Sequence, residues 1–288
     1  MKKIALGIVV VSNMLCTEVV FAGNMSSANR LSSEWTGFYF GGNVGGSWAD
    51  PSVNVTSINS FINTEALSTT GQTYGPAAAI SATGSFPERS SNVLGGLQLG
   101  YNHQIKTKFV AGIETDIQVL DSANHSTLTQ VAPRVGYSPN TVTTDLAVSQ
   151  RSKYLGTLRG RLGIFIPHFN SWLAYFTGGL AYGGVQSSTN INGEQTPNTG
   201  STGFSGSGGI STTRTGYTIG GGVEKFVASR WGAKIEYLYY DLGTVSYNNG
   251  ALTTYLNGTT TINFINNSSS SVRFNGNLVR AGLNFHFA

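Results

Sequence analysis

Apolar and polar residues alternate with a period of two in eight segments, at about 35–49, 91–102, 109–119, 152–165, 172–185, 214–227, 231–242 and 273–287. A period of two puts successive side chains on opposite faces of an extended strand. In the third segment Phe109, Ala111, Ile113, Ile117 and Val119 share one face, and Glu114, Asp116 and Gln118 share the other. The fourth sets Tyr154, Leu158, Leu162 and Ile164 against Lys153, Thr157, Arg159 and Arg161. The first sets Phe38, Phe40, Val44 and Trp48 against Tyr39, Gly41, Asn43, Gly45 and Ser47, and the last sets Val279, Ala281, Leu283, Phe285 and Phe287 against Arg280, Asn284 and His286.

The connections between these segments alternate in length. Long stretches at about 50–90, 120–151, 186–213 and 243–272 are interleaved with short ones at 103–108, 167–171 and 228–230. Short turns on one side and long loops on the other are the layout of a transmembrane barrel, and each segment has the 9–11 residues needed to cross. The pattern therefore predicts an all-β protein: an eight-stranded antiparallel transmembrane β-barrel over residues 35–288, with four long extracellular loops and short periplasmic turns.

In such a barrel the apolar face meets lipid and the polar face lines the lumen. Trp35, Trp48, Trp172, Tyr182 and Trp231 fall at strand ends, where interfacial aromatic girdles lie. Lys225 is the one charge on an expected lipid face, near a strand end where its ammonium reaches the interface. The expected lumen holds four acids, Glu114, Asp116, Glu224 and Glu236, and four bases, Arg159, Arg161, Lys234 and Arg280. Eight strands enclose only enough space for side chains, and buried charges must pair. These eight residues are expected to form a structural salt-bridge network that plugs the lumen. Gly41, Gly96, Gly220 and Gly222 on the inner face leave room for it.

The N-terminus supplies a route to such a location. Met1-Lys2-Lys3, an apolar run from Ile4 to Val11 and the ending Val20-Phe21-Ala22 read as a secretory signal peptide over residues 1–22. Residues 23–34 are then a short periplasmic lead-in. The single cysteine, Cys16, lies in the signal, so the expected mature chain has no disulfide. Its remaining 15 basic and 12 acidic residues give a net charge of +3 with no basic run, which makes nucleic acid a poor partner. Charged residues are only 10% of the chain, against about 25% in ordinary globular domains, as suits a protein with a lipid-facing exterior.

Little in the sequence points to catalysis. Glu224 and Glu236 could pair as catalytic carboxylates, but ion pairing in the lumen accounts for both. The four histidines, His103, His125, His168 and His286, are scattered, and neither a G-x-S-x-G elbow nor zinc-ligand spacing is present. Gly41–Gly46 nearly spells a dinucleotide loop but lies inside a strand. No catalytic residue, metal site or resident cofactor is expected.

Trp35-Thr36-Gly37-Phe38-Tyr39-Phe40-Gly41-Gly42-Asn43-Val44-Gly45-Gly46, Tyr217-Thr218-Ile219-Gly220-Gly221-Gly222-Val223-Glu224 and the closing Val279-Arg280-Ala281-Gly282-Leu283-Asn284-Phe285-His286-Phe287 resemble strands of small alphaproteobacterial outer-membrane proteins. That family includes surface antigens and hemin-binding proteins and belongs to the OmpA-like barrel superfamily. The resemblance covers all eight segments but not the loops, and the terminal Ala288 departs from the family's aromatic ending. It implies a barrel, an outer-membrane location and surface exposure. The first functional expectation is a structural surface protein, with outer-membrane lipid, periplasmic chaperones and the barrel-assembly machinery as partners, whose four exposed loops on a rigid scaffold meet host surface molecules or environmental ligands. It raises hemin as a further candidate ligand. Hemin needs an axial His or Tyr and an apolar face, for which His125 is the first loop candidate and Tyr74, Tyr137, Tyr247 and Tyr255 follow. A small diffusion channel is the third functional expectation, opposed by the lumen charges.

Overall fold

A computed structural model describes residues 35–49, 51–62, 70–87, 90–106, 108–136, 138–166, 172–196, 203–255 and 262–287. The predicted signal peptide, the lead-in 23–34 and Tyr137 lie outside these residues. Among the described residues, ten strands and one helix follow in the order β1 Gly37–Ala49, β2 Ser52–Ile62, α1 Thr70–Ser81, β3 Gly84–Pro87, β4 Ser90–Ile105, β5 Phe109–Pro133, β6 Thr141–Phe165, β7 Trp172–Thr196, β8 Phe204–Ala228, β9 Trp231–Tyr255 and β10 Ile262–Phe287. All pairings are antiparallel, in the order β1-β4-β5-β6-β7-β8-β9-β10-β2-β3. A further β1–β10 ladder, from Phe38↔Phe287 to Trp48↔Asn277, closes the sheet into a barrel.

The expected long loops are for the most part strands. β5 to β9 each run 25 residues, more than twice the length that crosses a bilayer. The described residues of 120–151, 186–213 and 243–272 largely continue the barrel strands, and those of 50–90 include β2, α1 and β3. His125 therefore stands on β5, paired with Ser149, and not in a loop.

Above the barrel the sheet separates. The β4–β5 ladder ends at Gly95↔Val119 and the β8–β9 ladder at Tyr217↔Asp241. Beyond them the ladders group β5 to β8 on one side and β9, β10, β2 and β3 on the other. This distal half is a two-sheet body continuous with the barrel beneath it. Each separation has a bulge beside it, at Val119/Ser122 opposite Ser152/Tyr154 and at Arg273/Asn275 opposite Asp241/Thr244. Bulges bend a strand and re-aim its side chains. Gly243 has φ of +78° in the second bulge, a conformation that glycine adopts without steric cost. The first bulge corrects the sequence reading of Lys153, which is exposed on the outer wall and does not face the lumen.

The same strands reverse their polarity at these bulges. In the barrel half the outer face is apolar, with Val44 65% and Leu162 67% exposed, while Tyr39, Glu114, Arg159 and Arg280 are buried inside. In the distal half the interior holds an apolar core with buried, hydrogen-bonded Ser, Thr and Asn side chains beside it. Val53, Val55, Leu146, Val148, Ile191, Val245, Leu252 and Phe264 share one buried core with Tyr74, Ala77 and Ala78 of α1. The helix is locked in place by Asn266 Nδ2 donating to the Gly75 carbonyl at 2.9 Å and by a 2.7 Å hydroxyl pair between Ser81 and Thr144.

Candidate functional site

The feature that sets what this molecule can do is its interior. At the short-turn end Trp35 is buried, with its ring centroid 4.5 Å from Phe226, 5.9 Å from Phe165 and 5.8 Å from His286. The sequence reading placed Trp35 in the girdle; instead it folds inward and caps the lumen. Lys225 keeps its expected position on the outer face, with Nζ 5.2 Å from the Trp172 ring centroid.

Next along the axis all eight predicted lumen charges lie buried in one cluster. Their strands are β5, β6, β8, β9 and β10, and period-two alternation turns each of them inward. Arg159 donates to Asp116 at 2.8 Å, to Glu236 at 3.1 Å and also to Glu114. Lys234 Nζ lies 2.9 and 2.8 Å from the two Glu114 oxygens. Arg280 contacts Asp116 at 2.7 Å and Glu236 at 2.5 Å, and Arg161 contacts Glu224 at 2.7 Å. Four acids balance four bases. Guanidinium forks suit such a cluster, because one planar group donates to several carboxylates at once.

Sequence reasoning left out the neutral members. Tyr39 donates its hydroxyl to Glu114 at 2.6 Å and accepts from Arg161 at 3.1 Å. Tyr175 donates to Glu236 at 2.9 Å, and the Arg161 guanidinium stacks 4.0 Å from its ring centroid. Asn284 donates to Glu224 at 2.6 Å, and His286 Nε2 lies 3.3 Å from the same oxygen. Inward parity at these positions was the available signal. Room for the tyrosines comes from small residues: a Cβ at Gly100 would strike the Tyr39 ring, and one at Gly222 would strike Tyr175. Above this layer the lumen passes into the apolar core of the distal body.

The remaining sequence candidates are not brought together. His125 is exposed on the outer wall, 3.1 Å from the Ser149 hydroxyl, and polar neighbours surround it. Tyr74 is buried on α1, and Tyr247 is buried between the sheets, within 2.8 Å of the Ser187 and Thr189 hydroxyls. Tyr255 is exposed at the far end of β9. Glu224 and Glu236, considered as a carboxylate pair, are each engaged by arginine. Among the described residues no three His, Cys, Asp or Glu side chains are arranged to hold a metal.

Residues 17–287 match the family described as outer membrane protein beta-barrel domain. The chain belongs to that family. This barrel is also 30% identical over 206 residues to the 31 kDa outer-membrane immunogenic protein of Brucella melitensis, covering 71% of this chain and 70% of that one. It is 30% identical over 158 residues to a 22 kDa outer membrane protein of Rhizobium leguminosarum, covering 52% and 56%. The barrel is thus a bacterial outer-membrane protein with alphaproteobacterial relatives. Among solved structures, the outer membrane protein OprG of Pseudomonas aeruginosa aligns over 88% of this chain and 97% of its own at 12% identity, with a TM-score of 0.33. At that score the likeness adds nothing to the assignment.

Proposed function

We propose that this protein is a closed, non-conducting barrel that crosses the outer membrane with eight strands and holds a rigid two-sheet body at the cell surface. The crossing strands are β1 and β4 to β10, and β2 and β3 belong to the distal body alone. The carrying observation is the polarity reversal along single strands: apolar outside over charged inside, then a largely polar outside over an uncharged interior built round an apolar core. Only a molecule half in lipid and half in water gains from both arrangements. The short turns and both ends of the barrel chain face the periplasm, reached by way of the signal peptide, chaperones and barrel-assembly machinery. The distal body faces outward as a structural and antigenic surface. His125 stands over no apolar slot, so a surface role and not hemin capture is proposed.

Two measurements test this reading. Folded protein in planar bilayers is expected to give no stepwise conductance in molar salt, because Trp35, the charge cluster and the distal core obstruct the axis in series. In intact cells, protease is expected to reach the distal hairpins while the turns at 106–108 and 229–230 stay protected. Steady open channels, or cleavage at those turns in sealed cells, would overturn it.

A further inference from the structure

The two sheets of the distal body differ in charge. Among the described residues, the outer wall of β5–β8 carries exposed Asp145, Lys153 and Glu194. The distal lengths of β2, β9 and β10, at 52–62, 243–255 and 262–272, hold no Asp, Glu, Lys or Arg among their described residues. The first charges below them, Arg273 and Asp241, neutralise one another.

This uncharged face is also partly apolar. On it Ile58 is 64% exposed, Phe61 46% and Tyr255 46%, and Ile262 pairs with Tyr255. Register joins these residues into one patch: Phe61 lies beside Ile265, and Ile58 beside Asn267, whose other neighbour is Ala251. Contiguous exposed apolar side chains of this kind mark a contact surface. β2 is 11 residues long, and β9, β10 and β2 lie side by side in that order. Standard strand rise and spacing give a face of about 36 Å by 14 Å, or about 500 Å². Two such faces together bury about 1,000 Å², the area at which specific association begins.

We propose that this face is covered by the same face of a second copy of the chain, across a two-fold axis along the membrane normal. Electrostatics selects this occupant. Near a two-fold axis each residue meets its own counterpart, so a charged face repels itself and an uncharged one does not. The inference rests on the membrane orientation proposed above, which holds every copy at one height and turns the face sideways. Patch then meets patch with much of the orientational freedom already lost, so that a modest area suffices. Asn267, on the middle strand β10, lies nearest the axis.

Oxidation of isolated outer membranes is expected to give disulfide-linked dimers of Asn267→Cys and none of Thr127→Cys, which is exposed on the opposite sheet. Energy transfer between dye-labelled copies diluted in lipid vesicles is expected to show dimers of the parent. Asn267→Lys and Asn267→Glu each set like charges against one another and are expected to weaken the dimer at least tenfold. An equal mixture of the two is expected to recover to within about threefold of the parent, which also shows that both variants fold. A parent that stays monomeric in vesicles, as it would if a neutral glycan or a foreign protein covered the face, overturns the interface. So does equal cross-linking of Thr127→Cys, or a mixture that does not recover. Labelling of Thr127→Cys by an impermeant maleimide in intact cells separates the two readings. A labelled protein that stays monomeric removes the interface alone; a folded protein never labelled in sealed cells removes the orientation and the interface with it.

Discussion

Arg159 on β6 and Glu236 on β9 meet across the lumen, with Nη1 3.1 Å from Oε1. Two strands separate β6 from β9 around the wall, so this contact spans the interior. The same guanidinium also holds Glu114 and Asp116 of β5. One side chain therefore ties three strands to a common centre, and its removal leaves four acids facing three bases in a space without water-like screening.

Loss of one partner from a buried ion cluster typically costs about 3–5 kcal/mol, because the remaining charges stay desolvated and unpaired. Arg159→Ala is expected to fall in that range, read as the shift in the urea midpoint of the lipid-embedded barrel. Arg159→Met combined with Glu236→Gln removes a charge of each sign and is expected to lose less than Arg159→Ala. An unchanged midpoint in Arg159→Ala would show that the cluster contributes nothing.

At the bulge between barrel and distal body, Gly243 has φ of +78° and its amide donates to Asp241 Oδ1 at 2.8 Å. A residue with a Cβ held in that region costs about 1–2 kcal/mol. Gly243→Val is expected to lose at least that much stability, whereas Gly42→Val, in extended barrel strand where a Cβ would lie in ordinary contact 3.8 Å from the Gly96 carbonyl oxygen, is expected to lose clearly less. Equal losses in the two variants would remove the special status of the bulge.

Leu146 is fully buried in the distal core. Truncating such a leucine to alanine costs about 2–5 kcal/mol, depending on how far the cavity collapses. Leu146→Ala is expected to speed proteolysis of the distal hairpins while heat-modifiable gel migration, which reports the barrel, persists. Joint loss of both signals would mean that the two halves fold as one unit.

Burial pushes the Tyr74 phenol up to about 12, against the opposing pull of Arg134, whose guanidinium lies 5.5 Å from the ring centroid. A raised phenol favours folding while it stays neutral. Its contribution is complete below the ordinary tyrosine value of about 10 and is lost as pH rises from there through 12. In ultraviolet titration, the difference spectrum between the parent and Tyr74→Phe is expected to show a tyrosinate with its midpoint near 12. A midpoint near 10 would mean that the helix does not hold Tyr74 in the core.

Much of this protein was written in its alternation. Period two and the rhythm of short and long connections located the barrel half of β1 and β4 to β10, and parity turned Glu114, Asp116, Arg159, Arg161, Glu224, Lys234, Glu236 and Arg280 to a common side. These are local consequences of strand geometry and need no knowledge of partners. Which acid meets which base was not written there, because pairing depends on how far each strand is sheared against its neighbours. Lys153 and Trp35 were misplaced for related reasons: a single bulge reverses parity, and a residue beyond a strand end obeys no alternation at all. The distal body was hidden by its composition. Ser, Thr, Asn and Gly between sparse apolar residues read as loop until the opposite sheet supplies the core that Val245, Leu146 and Phe264 fill. Hydrophobic burial is a property of two surfaces, and a sequence displays them one at a time.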